Sequence, residues 1–127
     1  LAIELFITKD NKVIVNELAP RPHNSGHYTI EACSFDQFDA HIRGIAGWPL
    51  EQPQLLKPAV MVNVLGQHVA PTRALIADHP EWNVHDYCKA EVRHDRKMGH
   101  ITVLTDDTAR TVADLEATGC WDDLKKA

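Results

Sequence analysis

The sequence predicts an α+β fold, and three patterns carry that prediction. Residues 1–18 alternate like the two arms of a β-hairpin, residues 34–46 place apolar side chains at helical spacing, and the chain beyond residue 58 returns to strand alternation before a final helix.

In the first pattern Leu1, Ile3, Leu5 and Ile7 alternate with Ala2, Glu4, Phe6 and Thr8, Lys9 to Lys12 supplies a turn, and Val13 to Leu18 runs back. A turn of two or four residues opposes Glu4 to Glu17 on one face, whereas an odd-length loop breaks that pairing. From Ala19 to Cys33 the prolines at 20 and 22 and the polar run His23-Asn24-Ser25-Gly26-His27 read as a loop. Ser34, with Gln37 three residues on, reads as a capping box opening a helix whose apolar positions are Phe35, Phe38, Ile42 and Ile45, and Gly47 and Pro49 end it.

Residues 1–50 thus form a first region, 51–57 a Pro- and Gln-rich linker, and 58–127 a small β-rich unit. In that unit Val60, Val62 and Val64 mark one strand, alternation from Val84 to Val92 a second, and Ile101 to Leu104 a third after a turn from Arg93 to Gly99. Thr105 or Asp106 caps a last helix over 108–118, while Gly66 to Glu81 carries no clear period.

With 127 residues, 44% of them hydrophobic, the chain has the makings of a modest core. The apolar run Pro58 to Leu65 is too short to cross a bilayer and is broken by Asn63. The first residues carry no secretory pattern and already alternate as a strand, so the chain is expected to begin inside a larger protein. Three cysteines without CxxC spacing indicate neither a disulfide framework nor a zinc knuckle and suit a reducing cytoplasm. A net charge of -5 argues against nucleic acid as a main partner.

Two carboxylates facing each other across a hairpin repel unless a cation sits between them, so Glu4 and Glu17 are candidate magnesium ligands. Exposed glutamates that keep a strand soluble are the competing reading. Arg21, His23, Asn24 and His27 follow at once and offer a guanidinium, an amide and two imidazoles. A zinc pair at His23 and His27 is discounted, because Pro22 and Gly26 spoil the helix that would align the rings. Further on, Lys89, Arg93, Arg96 and Lys97 form a basic cluster in an acidic chain, either an anion site or a solvated hairpin tip, with no aromatic residue in the turn to stack on bases.

The run from Asn16 to Thr29, NELAPRPHNSGHYT, resembles the signature stretch of the N5-carboxyaminoimidazole ribonucleotide synthetase family, and so do Gln37-Phe38, His41-Ile42-Arg43, Val60 to Gly66, His85-Asp86-Tyr87 and Arg96 to Ile101. The similarity covers about residues 1–105. Members are ATP-grasp ligases, which implies the end of an ATP-grasp catalytic domain followed by a small C-terminal unit. It also implies ATP, bicarbonate and 5-aminoimidazole ribonucleotide as ligands, a carboxyphosphate intermediate and a homodimeric full-length enzyme.

By that resemblance Glu4 and Glu17 hold magnesium on the ATP phosphates, and Asn16 lies close to the same phosphates. Arg21 holds bicarbonate, His23 and Asn24 line the pocket with His23 as the proton-transfer group, and Lys89 and Arg96 bind the ribonucleotide phosphate. Ala19 departs from the broader ATP-grasp pattern, which often has Asn there. No Gly-rich phosphate loop lies within the 127 residues, so the fragment alone is not expected to turn over. A non-catalytic scaffold or dimerisation module, or part of a sister ATP-grasp carboxylase or transformylase, are the alternatives.

Overall fold

The computed structural model describes residues 1–122 and divides into two compact units, the first spanning Leu1–Leu55 and the second beginning at Leu56. In the first unit β1 (Ala2–Ile7) pairs antiparallel with β2 (Val13–Ala19). The connecting loop is odd, not even: Ile7 faces Val13, which leaves the five residues Thr8 to Lys12. Thr8 organises it, its amide donating to the Lys12 carbonyl at 2.9 Å and its hydroxyl accepting from the Lys12 amide at 3.0 Å, while Asn11 takes φ 60°. Such a loop alone would set Glu4 opposite Asn16. A β-bulge at Asn16 absorbs the extra residue, so Leu5 faces Val15 but Glu4 faces Glu17.

The loop expected from Ala19 to Cys33 contains a 3-10 turn (Asn24–Gly26) and one helical turn, α1 (Thr29–Ala32). The main helix α2 (Gln37–Ala46) starts later than the sequence suggested. Its cap is Asp36, which accepts from the amides of Phe38 at 2.7 Å and Asp39 at 2.9 Å. Ser34 instead holds the returning tail, donating its amide to the Gln54 carbonyl (2.9 Å) and accepting the Gln54 amide on Oγ (3.0 Å). Gly47, at φ 67°, ends α2 in the left-handed conformation.

In the second unit β3 (Ala59–Leu65), α3 (Val69–Leu75), β4 (Asn83–Asp86), β5 (Lys97–Leu104) and α4 (Thr108–Ala117) follow in order. The sheet order is β3-β5-β4, both pairs antiparallel, which puts β5 in the centre and buries Met98 to Val103. The expected strand from Val84 to Val92 stops at Asp86. Its carboxylate accepts the Cys88 amide at 2.8 Å, and Cys88 turns to φ 51°, so the ladder cannot continue. The α4 cap is Asp107, which accepts the Arg110 amide at 2.9 Å, one or two residues later than expected. Val64, Ile101, Val103 and Leu115 pack with Trp82 and Trp121, whose rings meet edge to face at 6.2 Å.

Candidate functional site

The bulge in β2 fixes what the first unit can do. It opposes Glu4 and Glu17 and leaves Asn16, the extra residue, exposed beside them. Above the pair sits His23, whose Nε2 lies 3.5 Å from Glu17 Oε2 and 3.8 Å from Glu4 Oε2. The imidazole is largely buried, at 12% exposure, while the carboxylates are half open at 42% and 47%. Arg21 reaches Glu17 Oε1 at 4.0 Å and donates to the Pro22 carbonyl at 3.0 Å. Among the described residues these three, Glu4, Glu17 and His23, form the one group of acidic, His or Cys side chains with ligand atoms gathered within 4.8 Å.

The Ser25 amide favours one tautomer of the His23 ring. Its Nδ1 accepts from the Ser25 backbone amide at 3.4 Å and lies 2.9 Å from Ser25 Oγ. A backbone N–H can only donate, so the tautomer that satisfies it carries the neutral ring's proton on Nε2, the nitrogen that lies beside the two carboxylates. In that tautomer Nε2 offers no lone pair to a metal. In that tautomer a cation between Glu4 and Glu17 would meet oxygen donors alone, the type that suits magnesium, whereas the other tautomer would add the Nε2 lone pair to the group.

Asn24 lies in the same loop, its Oδ1 buried without a hydrogen-bond partner. His27 falls outside the ligand group. Its Nδ1 accepts from Gln37 Nε2 at 2.7 Å and its ring stacks on Phe38 at 5.5 Å. Gln37, read from the sequence as half of a capping box, binds this loop instead, accepting the His23 amide and donating to the His23 carbonyl, both at 2.8 Å. No local pattern announces that role, because its partners lie fourteen residues back.

In the second unit three cations of the basic cluster, Lys89, Arg93 and Arg96, are engaged by their own chain. Lys89 Nζ donates to the Lys97 carbonyl at 2.5 Å and lies 5.5 Å from the Tyr87 ring centre. Arg96 donates to the Glu91 carbonyl at 3.2 Å, and Arg93 pairs with the Glu91 carboxylate. Lys89 lines a cleft of about 350 Å³ with Thr72, Arg73 and Asp86, and Arg96 does not. The Cys88 amide and then the Arg73 guanidinium, 2.7 Å away, hold Asp86 below the usual carboxylate range. Burial pushes the Tyr87 phenol up. His100, given no role from the sequence, is buried in β5, 2.9 Å from the Tyr87 hydroxyl and stacked on His85 at 4.4 Å.

The family model for the ATP-grasp domain matches residues 1–38, and that for the phosphoribosylaminoimidazole carboxylase C-terminal domain matches residues 59–114. An ATP-grasp segment carrying the carboxylate pair and a carboxylase C-terminal segment therefore follow one another in this chain. N5-carboxyaminoimidazole ribonucleotide synthase of Staphylococcus saprophyticus is 54% identical over 110 residues, covering 86% of this chain and 29% of that protein. The N5-carboxyaminoimidazole synthetase structure from Staphylococcus aureus, complexed with ADP, superposes with a TM-score of 0.87 at 50% identity, over 91% of this chain and 31% of the other. The Aspergillus clavatus N5-carboxyaminoimidazole synthase structure, in complex with ADP and 5-aminoimidazole ribonucleotide, gives a TM-score of 0.79 at 33% identity, over 91% and 33%.

The chain belongs to the N5-carboxyaminoimidazole ribonucleotide synthase family and matches a C-terminal part of its members. It spans less than a third of the length of the S. saprophyticus relative (29%). No helix among the described residues is long and apolar enough to cross a membrane.

Proposed function

We propose that the chain is the C-terminal part of an ATP-dependent ligase that carboxylates 5-aminoimidazole ribonucleotide with bicarbonate, through carboxyphosphate, in purine biosynthesis. The observation that carries this reading is the opposition of Glu4 and Glu17 beside His23 Nε2, on a chain half identical to synthases of that name.

Glu4 and Glu17 would hold magnesium, which when bound offsets the charge of the ATP phosphates. Asn16, at the bulge, is poised for the same phosphates. Arg21 offers bicarbonate and carboxyphosphate a fixed cation beside the carboxylates, where charge grows in the transition state. His23 contributes the Nε2 proton, a donor to a carbonate or phosphate oxygen, and Asn24 an amide lining the same loop. In the second unit Lys89 and Arg96 take the ribonucleotide phosphate in exchange for the carbonyls they now hold. The three free cysteines suit a reducing cytoplasm, and a homodimer is the assembly proposed for the full-length enzyme.

The test is an assay of the full-length protein carrying these residues, with ATP, bicarbonate and 5-aminoimidazole ribonucleotide. ADP and the carboxylated nucleotide are expected in equal amounts, with a requirement for magnesium. ATP hydrolysis without nucleotide carboxylation would overturn the assignment.

A further inference from the structure

The side chain of Gln37 is fully committed to the loop that carries His23. Oε1 accepts the His23 N–H and Nε2 donates to the His23 C=O, both at 2.8 Å, the two-bond ring that a neighbouring strand would form. The second Nε2 hydrogen goes to His27 Nδ1 at 2.7 Å. The orientation of the amide is fixed by its partners, since the His23 N–H requires an acceptor and the His23 C=O a donor. Gln37 is itself anchored as the first residue of α2, its own amide donating to Thr29 Oγ1 at 3.1 Å while that hydroxyl donates to the Gly26 carbonyl at 2.6 Å. Gly26 packs so closely that a Cβ there would lie 2.7 Å from Gln37 Oε1.

We propose that Gln37 is a positioning residue for the proposed ligase reaction, coupling helix α2 to the His23 main chain so that Nε2 stays beside Glu17 and Glu4. The proposal rests on the function given above. A side chain that only stabilised the loop would need no such two-sided grip on the one residue whose ring faces the carboxylates. Cutting the grip frees the His23 main chain, and the ring loses the Ser25 contacts that select its tautomer.

The test compares Gln37→Met, Gln37→Glu and Gly26→Ala with wild type in the full-length protein. Readouts are kcat, KM for ATP, melting temperature and nitrogen NMR of ¹⁵N-histidine-labelled enzyme. Gln37→Met is expected to lower kcat about ten- to a hundredfold, as misplacement of a reacting group does. KM for ATP should stay within about twofold, and the His23 signals should move from one Nε2–H tautomer towards a mixture. Gly26→Ala, which pushes the amide aside, should do the same more weakly.

Gln37→Glu keeps the acceptor for the His23 N–H but can donate to the His23 C=O only when protonated, so its kcat should recover as pH falls while wild type shows no such gain. A folded Gln37→Met with wild-type kcat and an unchanged His23 tautomer overturns the proposal, as does a loss confined to melting temperature. If Gln37→Met fails to fold, a Gln37→Glu profile parallel to wild type overturns it. If wild type itself carboxylates nothing, the assigned reaction fails, and with it the catalytic part of this proposal, while the NMR still decides whether Gln37 sets the His23 tautomer.

Discussion

The two units differ in the contacts their described residues make within this chain. Among the described residues of the first unit, only Ala19 and Ala32 are buried hydrophobics, and Ile3, Leu5, Phe6 and Ile14 stand exposed on the hairpin. Its loop is held by polar contacts instead: the Asp36 cap, the Thr29 hydroxyl and the Gln37 amide. The second unit has a continuous core around Ile101, Trp82 and Trp121, and its cations close on its own carbonyls and carboxylates. The loop that carries His23 therefore hangs on a few side-chain hydrogen bonds, whereas in the second unit an anion would have to displace partners that Lys89 and Arg96 already hold.

The strongest test of that contrast is the core of the second unit. Trp121, which follows α4, is 5% exposed, and its Nε1–H donates to the Asn63 carbonyl of β3 at 2.9 Å. Trp121→Ala removes a large buried ring and strands a carbonyl, and is expected to cost about 3–5 kcal/mol. Urea denaturation of the full-length protein, followed through the remaining tryptophans, measures it. A cost under about 1 kcal/mol would mean that the second unit is not held by this core.

Next in size is Glu17→Gln, which barely alters shape but removes one of the two opposed charges. If Glu4 and Glu17 hold magnesium as proposed, turnover should fall by more than about a hundredfold and the magnesium requirement should rise. Without magnesium, unfolding by urea should need no less denaturant than wild type, because the substitution relieves the repulsion between the opposed carboxylates. Wild-type turnover would return Glu4 and Glu17 to the role of solubilising strand residues.

Smaller effects are expected in the basic turn. Lys89→Ala and Arg96→Ala should each raise the apparent Kd for 5-aminoimidazole ribonucleotide by about tenfold, as loss of one charge-assisted contact does, and leave ATP affinity unchanged. The exchange of partners makes this less than for a preformed anion site, since each cation surrenders a carbonyl at 2.5 or 3.2 Å to bind. Equal losses for both ligands, or none for the ribonucleotide, would leave the cluster a solvated turn.

The sequence was legible where a period of two or of 3.6 residues meets a strong breaker, as at the hairpin and at Gly47. It misled where a side chain chose a distant partner over a local one. The opposition of Glu4 and Glu17 was expected from an even turn, yet the loop is odd and the bulge at Asn16 restores the pairing. Alternation alone cannot reveal such compensation, because a bulge depends on which ladder bonds can form on both strands. Ser34 and Gln37 fit a capping box in sequence, but Gln54 and His23 offered them other bonds and Asp36 took the cap. The strand begun at Val84 has alternation to spare, and ends because Asp86 turns its carboxylate onto the Cys88 amide.

That same carboxylate gives the smallest predicted effect. The Cys88 amide and then Arg73 hold the charged form of Asp86, so its folded pKa lies below the unfolded value of about 3.9. The sign follows: the unfolded chain binds the proton more readily, so the stabilisation is complete above the unfolded pKa and is lost as pH falls through the folded one. Because the Asp86 side chain is 45% exposed, solvent screening limits the contribution to less than about 1 kcal/mol. Asp86→Asn keeps an oxygen for the Cys88 amide but loses the charge in that bond and the pairing with Arg73. Wild type should therefore melt slightly higher than Asp86→Asn at pH 7 in low salt, with the gap closing on acidification below the ordinary aspartate range and narrowing as salt is added. A gap that stayed constant through acid and salt would show that Asp86 ends β4 by shape alone and that its charge adds nothing to the second unit's self-contained network.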